Sequence, residues 1–161
     1  MIKQSFSPII AQEPRILILG SLPGDLSLEM NQYYGHPRNR FWKIMFTILD
    51  EEFSNDYQVR ENLIKNNHIA LWDVAYSAMR KGSMDVDMKD VVPNKIEEML
   101  QKNPSIRQII FNGKKAEQLF KRYFEQKSTI IYISLPSTSP ANAQFSIDRL
   151  TEIWKNSLIL D

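Results

Sequence analysis

Four short apolar runs, each closing on a small or polar residue, set most of what this chain can fold into. Arg15-Ile16-Leu17-Ile18-Leu19 stops at Gly20, Ile69-Ala70-Leu71-Trp72 at Asp73, and Gln108-Ile109-Ile110-Phe111 at Asn112, while Thr129-Ile130-Ile131-Tyr132-Ile133 runs toward Leu135-Pro136. A strand that is apolar at consecutive positions buries both faces, which suits a parallel sheet covered on each side; a one-sided sheet would alternate. Helical periods lie between the runs. Ala116, Leu119, Phe120, Tyr123 and Phe124 make one stripe, Ile96, Met99 and Leu100 repeat its spacing after Pro93-Asn94, and Leu150, Ile153, Trp154 and Leu158 make a last one. From Phe41 to Leu49 the chain is apolar nearly all round, the pattern of a buried helix. Strands alternating with helices predict an α/β fold: a three-layer α/β/α architecture around a four-stranded, mainly parallel sheet, as a single domain over residues 1–161.

The chain has no cysteine, which removes disulfides, thiolate zinc sites and iron–sulfur clusters together. Its two histidines, His36 and His68, are too few for a histidine-rich metal site, while this count leaves a carboxylate-built magnesium site open; the expectation is no metal and no cofactor. No apolar run approaches the roughly 20 residues that span a bilayer, and the first residues lack the apolar core of a secretion signal. A cytoplasmic, monomeric protein with no membrane association is the expectation. Net charge is only +1, so attraction to nucleic acid has to come from local basic residues and backbone N–H groups.

Sheets of this kind bind ligands beyond the carboxyl ends of their strands. Those ends carry Gly20-Ser21-Leu22-Pro23-Gly24 followed by Tyr33-Tyr34-Gly35-His36-Pro37-Arg38-Asn39-Arg40-Phe41-Trp42, then Asp73, then Asn112-Gly113-Lys114-Lys115, and finally Leu135-Pro136-Ser137-Thr138-Ser139-Pro140-Ala141-Asn142-Ala143. Small, amide, hydroxyl and basic residues thus gather at one end of the sheet and describe a pocket. Singly, each has an ordinary structural meaning. Gly20 to Gly24 can be a tight turn, Asn39 a helix cap, His36 a loop hydrogen-bonder and Asn112 a left-handed turn residue. Ser137, Thr138 and Ser139 can form a rigid polar turn, and Lys114, Lys115, Lys121 and Arg122 a solvated helix face. No GxGxxG, phosphate loop or GxSxG motif is present, which counts against a nucleotide hydrolase or esterase on the same architecture.

In order along the chain, these segments resemble the uracil-DNA glycosylase superfamily. Gly20-Ser21-Leu22-Pro23-Gly24 with Tyr34-Gly35-His36-Pro37-Arg38-Asn39-Arg40-Phe41-Trp42 resembles the mismatch-specific uracil/thymine branch, and more closely the hypoxanthine-DNA glycosylase branch. The loop from Leu135 to Ala143 is similar to the second motif of that branch. Two positions separate the branches. Leu22 stands where the mismatch-specific enzymes carry a catalytic Asn, and Leu135 where uracil-specific enzymes carry a His that stabilises the departing uracil anion. In the hypoxanthine branch the Asn of the His-Pro-x-Asn string takes the catalytic part, and the matching residue is Asn39.

The resemblance implies base excision repair on DNA: hydrolysis of the N-glycosidic bond of a flipped, deaminated base, hypoxanthine first and uracil second, leaving an abasic site without strand cleavage. Asn39 would hold the attacking water; Tyr34 would stack on the base, with Gly20, Ser21, Leu22, Pro23, His36 and Asn112 around it. Ser137, Thr138, Ser139, Arg38 and Lys114 would contact DNA, joined by Arg40 and Lys115. Asp73 is a rival water-positioning group, read as a structural carboxylate. Two alternatives stand beside this reading: a mismatch-type uracil/thymine glycosylase, and a DNA-damage binding module without chemistry.

Overall fold

The computed structural model describes residues 1–160. The chain runs through strands β1 (Ile2–Gln4), β2 (Ile9–Ile10) and β3 (Ile16–Gly20), helices α1 (Asp25–Met30), α2 (Phe41–Ile48) and α3 (Tyr57–Asn66), and strands β4 (Ile69–Asp73), β5 (Ala75–Met79) and β6 (Lys89–Pro93). Helix α4 (Ile96–Lys102), strand β7 (Gln108–Asn112), helix α5 (Lys114–Tyr123), strand β8 (Ile131–Leu135) and helix α6 (Ile147–Ser157) complete it. The main sheet has the order β2-β4-β3-β7-β8. All four predicted strands are present and mutually parallel, so the α/β class holds; the sheet has five strands instead of four because the two-residue β2 pairs antiparallel on the edge of β4. The fourth strand lies two residues later than its apolar run suggested, Ile130 belonging to a turn in which its N–H donates to the Lys127 carbonyl.

Side-chain direction alternates along a strand, and β3 shows how both faces are used. Ile16 and Ile18 point into a core shared with Phe41, Trp42, Met45 and Phe46 of α2, Leu63 and Ile64 of α3, and Leu150 and Trp154 of α6. Leu17 and Leu19 point the other way, against Ile96, Met99 and Leu100 of α4 and Ala116, Leu119 and Phe120 of α5. Each large side chain buried this fully contributes about 1.5–3 kcal/mol of transfer free energy, and the two cores fix the sheet as a rigid platform.

A second sheet, β1-β5-β6, is antiparallel and was not expected. Strand β5 begins one residue after β4 ends, so no turn signal separates them in the sequence. The β5–β6 connection, with a 3-10 turn at Asp85–Asp87, folds back over the first loop of the main sheet.

Candidate active site

The carboxyl ends of β3, β4 and β7 and the loop after β8 surround a cavity of about 150 Å³. Gly20, Ser21, Leu22, Pro23, Tyr34, His36, Asn39, Asp73, Asn112, Ser137, Thr138 and Ser139 all line it. Every pocket residue expected from the sequence is therefore there. Leu135 is not: its side chain is buried in the core with Phe41 and Trp154, so an apolar residue ends β8 beneath the cavity instead of facing it.

Asn39 sits in the turn that opens α2. Its N–H donates to the His36 carbonyl at 2.9 Å, and its Oδ1 accepts the Phe41 N–H at 2.9 Å. Arg40 is the N-cap of α2, and Asn39, one residue earlier, holds the first N–H of the helix; this capping contact and the cavity position coexist. An amide oxygen has two acceptor sites; one is spent fixing the rotamer, and the other remains chemically competent to take a water. His36 accepts the Arg38 N–H on Nδ1 at 3.0 Å, which puts the proton of the neutral ring on Nε2.

This turn is stapled to the loop beyond β8. The Arg40 N–H donates to the Thr138 carbonyl at 3.1 Å. The Arg40 guanidinium donates to the carbonyls of Phe145 at 2.8 Å, Ser139 at 3.1 Å and Asn142 at 2.5 Å. Arg40, expected to meet DNA phosphates, spends three of the five N–H donors of its guanidinium on carbonyls of the protein and thereby acts as a structural clamp. Thr138 needs the same correction. It is 0% exposed; its Oγ1 accepts from Asn112 Nδ2 at 3.0 Å and its N–H donates to Asn112 Oδ1 at 3.0 Å. Its hydroxyl is therefore tied to Asn112 instead of facing phosphate, and Asn112 spends its carboxamide on positioning this loop, keeping one N–H in hand. Gly113 permits the approach: at φ 96°, a Cβ there would lie 3.1 Å from Ser137 Cβ. Ser137 and Ser139 are half-buried, whereas Arg38 and Lys114 are exposed.

Tyr34 stacks on Phe41 with ring centroids 4.1 Å apart and planes 27° from parallel. Phe41 thus covers one face of the phenol, and the side chain lines the cavity. Its hydroxyl is buried without a hydrogen-bond partner; burial and the nearby Asp73 raise its pKa far above the ordinary phenol value. Asp73 is 3% exposed and its Oδ2 also lacks a partner. Burial, followed by the neighbouring charge of Asp85, pushes its carboxyl up to about 7, against the opposing pull of Arg80.

Sequence reasoning missed the lid over this end of the pocket. Arg80, 2% exposed, donates to the carbonyls of Gly82 at 2.7 Å and Pro23 at 2.5 Å and lies 4.0 Å from Asp85 and 3.8 Å from Asp25. Lys3 bonds to Asp25, and Ser21 Oγ donates to Asp85 at 2.8 Å. Burial raises the Asp85 pKa, which Ser21, Arg80 and Lys115 oppose. Asp25, Ser83 and Asp85 join the cavity lining; the start of α1 and the β5–β6 connection that carry them are almost 60 residues apart, so no local pattern announced them.

A parallel sheet whose strand ends converge on an aromatic, amide- and hydroxyl-lined cavity has the ligand-site placement of a doubly wound α/β protein. The chain belongs to the uracil DNA glycosylase superfamily, whose family model matches residues 8–157. It is 43% identical over 117 residues to the "Hypoxanthine DNA glycosylase" of Methanosarcina barkeri, covering 72% of this chain and 74% of that protein. It is 38% identical over 160 residues to the protein of the same name from Methanosarcina acetivorans, covering 96% and 97%. Among solved structures, an NMR structure of a Methanosarcina acetivorans protein provisionally described as a uracil DNA glycosylase superposes with a TM-score of 0.80 at 36% identity, over 98% of this chain and 96% of that one.

Proposed function

We propose that this chain excises hypoxanthine from DNA by hydrolysing its N-glycosidic bond, as a monofunctional enzyme that leaves an abasic site. The observation that carries the reading is the shared cavity of Asn39 and Ser137: a water-holding amide and a backbone-gripping loop sit on the same pocket. Relatives that are named hypoxanthine DNA glycosylases at 38% and 43% identity support the choice of base.

The target base leaves the stack first, at a cost of a few kcal/mol that is smallest for a mismatched pair. It enters beside the face of Tyr34 opposite Phe41. The hydroxyls of Ser137 and Ser139, which accept the N–H groups of Ser139 and Ala141 and keep their own O–H to donate, hold phosphates, contacts that position without reading sequence. Asn39 holds a water under C1′. An amide is a poor base, so its contribution is orientation, and the sugar passes through an oxocarbenium-like state that hardly needs a strong nucleophile. No imidazole at position 135 is available to stabilise a departing uracil anion, which favours a purine that leaves on protonation. Work as a monomer, in a single domain in the cytoplasm, belongs to this same reading. An oligonucleotide panel carrying hypoxanthine, uracil, xanthine and thymine mismatches, scored for alkali-labile sites under single turnover, tests it: hypoxanthine is cut fastest. Faster cleavage of uracil would move the chain to the mismatch-type branch, and no cleavage would leave a damage-binding module.

A further inference from the structure

We propose that Asp73 is the general acid of the reaction, delivering a proton from its buried carboxyl to a ring nitrogen of the departing purine. The inference rests on the excision reading above and assigns the leaving-group half of the chemistry, which Asn39 cannot supply.

Three observations converge. First, Asp73 ends β4 at the cavity, among the residues that line it. Second, its Oδ2 is sealed from bulk water and has no partner. An unpaired ionised oxygen is costly in such a place, whereas a carboxylic acid holds its proton there until a ligand accepts it. Third, the backbone is shaped around this group. A Cβ on Gly20 would lie 2.6 Å from Asp73 Oδ1 and 3.1 Å from the Tyr34 hydroxyl, so only glycine lets the acid and the aromatic reach the cavity floor together.

The groups facing Asp73 shift its titration so that the neutral acid is still populated near neutral pH. Burial and the Asp85 carboxylate of the β5–β6 connection outweigh Arg80 of the same connection, and its carboxyl titrates at about 7. Tyr33 and Tyr34, from the segment before α2, feel Asp73 and keep their phenol protons. Asn94, before α4, meets only the Asp73 backbone carbonyl, at 2.8 Å. Asp85 also lines the cavity, but its Oδ1 accepts the Ser21 hydroxyl at 2.8 Å and lies 4.0 Å from Arg80, and His36 Nδ1 is held by the Arg38 N–H; Asp73 is the lining carboxyl with an unpartnered buried oxygen.

The step balances without another reactant. The O–H bond of Asp73 breaks as an N–H bond forms on the base. The C1′–N9 pair leaves with the purine, which departs neutral. Water held by Asn39 adds to C1′, and the proton that it loses returns to the Asp73 carboxylate by way of solvent.

The experiment compares wild type with Asp73→Asn, a neutral near-isostere without a transferable acid proton, on deoxyinosine DNA across pH under single turnover. Wild-type excision should fall as pH rises through about 7, where the carboxyl ionises. Asp73→Asn should be slower by about 100-fold or more, the usual share of general acid–base catalysis, with no such pH limb. It should still bind DNA carrying an uncleavable 2′-fluorinated deoxyinosine. In the free wild-type protein, the Asp73 side-chain carboxyl carbon followed by NMR should titrate near neutrality. Near-normal excision by Asp73→Asn, a rate that instead rises through this pH range, or titration in the ordinary carboxylate range would each overturn the assignment. Should the variant fail to fold, the wild-type profile and the NMR titration decide. If wild type spares hypoxanthine but cuts another base of the panel, the proposed substrate fails alone and the Asp73→Asn comparison is read on that base; a chain that cuts none overturns both.

Discussion

The backbone N–H of Arg40 donates to the carbonyl oxygen of Thr138 at 3.1 Å, which joins the turn that carries Asn39 to the loop beyond β8. The Arg40 side chain reinforces the joint through the carbonyls of Ser139, Asn142 and Phe145. The Asn39 turn and the loop beyond β8 are thereby one rigid unit, although about 100 residues separate them.

Arg40→Ala keeps the backbone bond and should loosen that unit by removing the side-chain ones. Hydrogen bonds from a charged donor contribute about 1.5–3 kcal/mol each, and they do not add independently, so a loss of roughly 2–4 kcal/mol of stability is expected. Excision should fall with it, while the salt dependence of DNA binding stays as in wild type. Denaturant unfolding and salt titrations check the pair. A changed salt slope would put Arg40 on the phosphates after all.

Arg38 is exposed and has its guanidinium available to DNA. Arg38→Ala should weaken binding alike on lesion and undamaged DNA and reduce the slope of log affinity against log salt by about 1, as loss of a single phosphate contact does. Binding isotherms at several salt concentrations measure it.

Tyr34 offers the base one aromatic face, with Phe41 behind the other. Tyr34→Ala should cost about 1–3 kcal/mol of affinity for DNA with an uncleavable lesion. Tyr34→Phe, which keeps the ring and removes only a hydroxyl without a partner, should bind as wild type does. Equal losses in both variants would assign the contact to the hydroxyl.

Asp73 bears on stability as well as chemistry. Its folded pKa, about 7, lies above the ordinary 3.8, so the folded state binds the proton more tightly than the unfolded one. Stability from this group is full at low pH and declines as pH rises from the ordinary carboxylate range to about 7. Asp73→Asn should therefore melt higher than wild type at mildly alkaline pH, by an amount on the order of a few kcal/mol, with the gap closing in acid. Thermal unfolding across pH tests this; a variant less stable than wild type at high pH would contradict it.

The strands of the main sheet were legible because burying both faces writes a continuous apolar run, and the pocket because its residues follow those runs. Helix α3 was not legible. Only Arg60, Leu63 and Ile64 of its ten residues are buried, so its apolar stripe is too thin to see, although Asp56 caps it through the Gln58 N–H. Strand β5 escaped because it continues from β4 with only Val74 between. The roles of Arg40 and Thr138 were misread for another reason: a guanidinium or hydroxyl in a loop suits phosphate and carbonyl equally, and only tertiary geometry chooses. Asp73 looked structural in the sequence, and its burial, missing partner and cavity position give it a different weight.

The most direct test of the account is the single-turnover rate of hypoxanthine excision by Asn39→Ala, measured beside Asn39→Asp, whose carboxylate can still accept the Phe41 N–H. Loss of the cap alone should cost about 1 kcal/mol of stability, a penalty that Asn39→Asp avoids. Asn39→Ala should lose about 100-fold or more in rate, as misplacement of a reacting group does, while it stays folded and holds DNA with an uncleavable lesion as tightly as wild type. Excision by Asn39→Ala at close to the wild-type rate would contradict water-holding by Asn39.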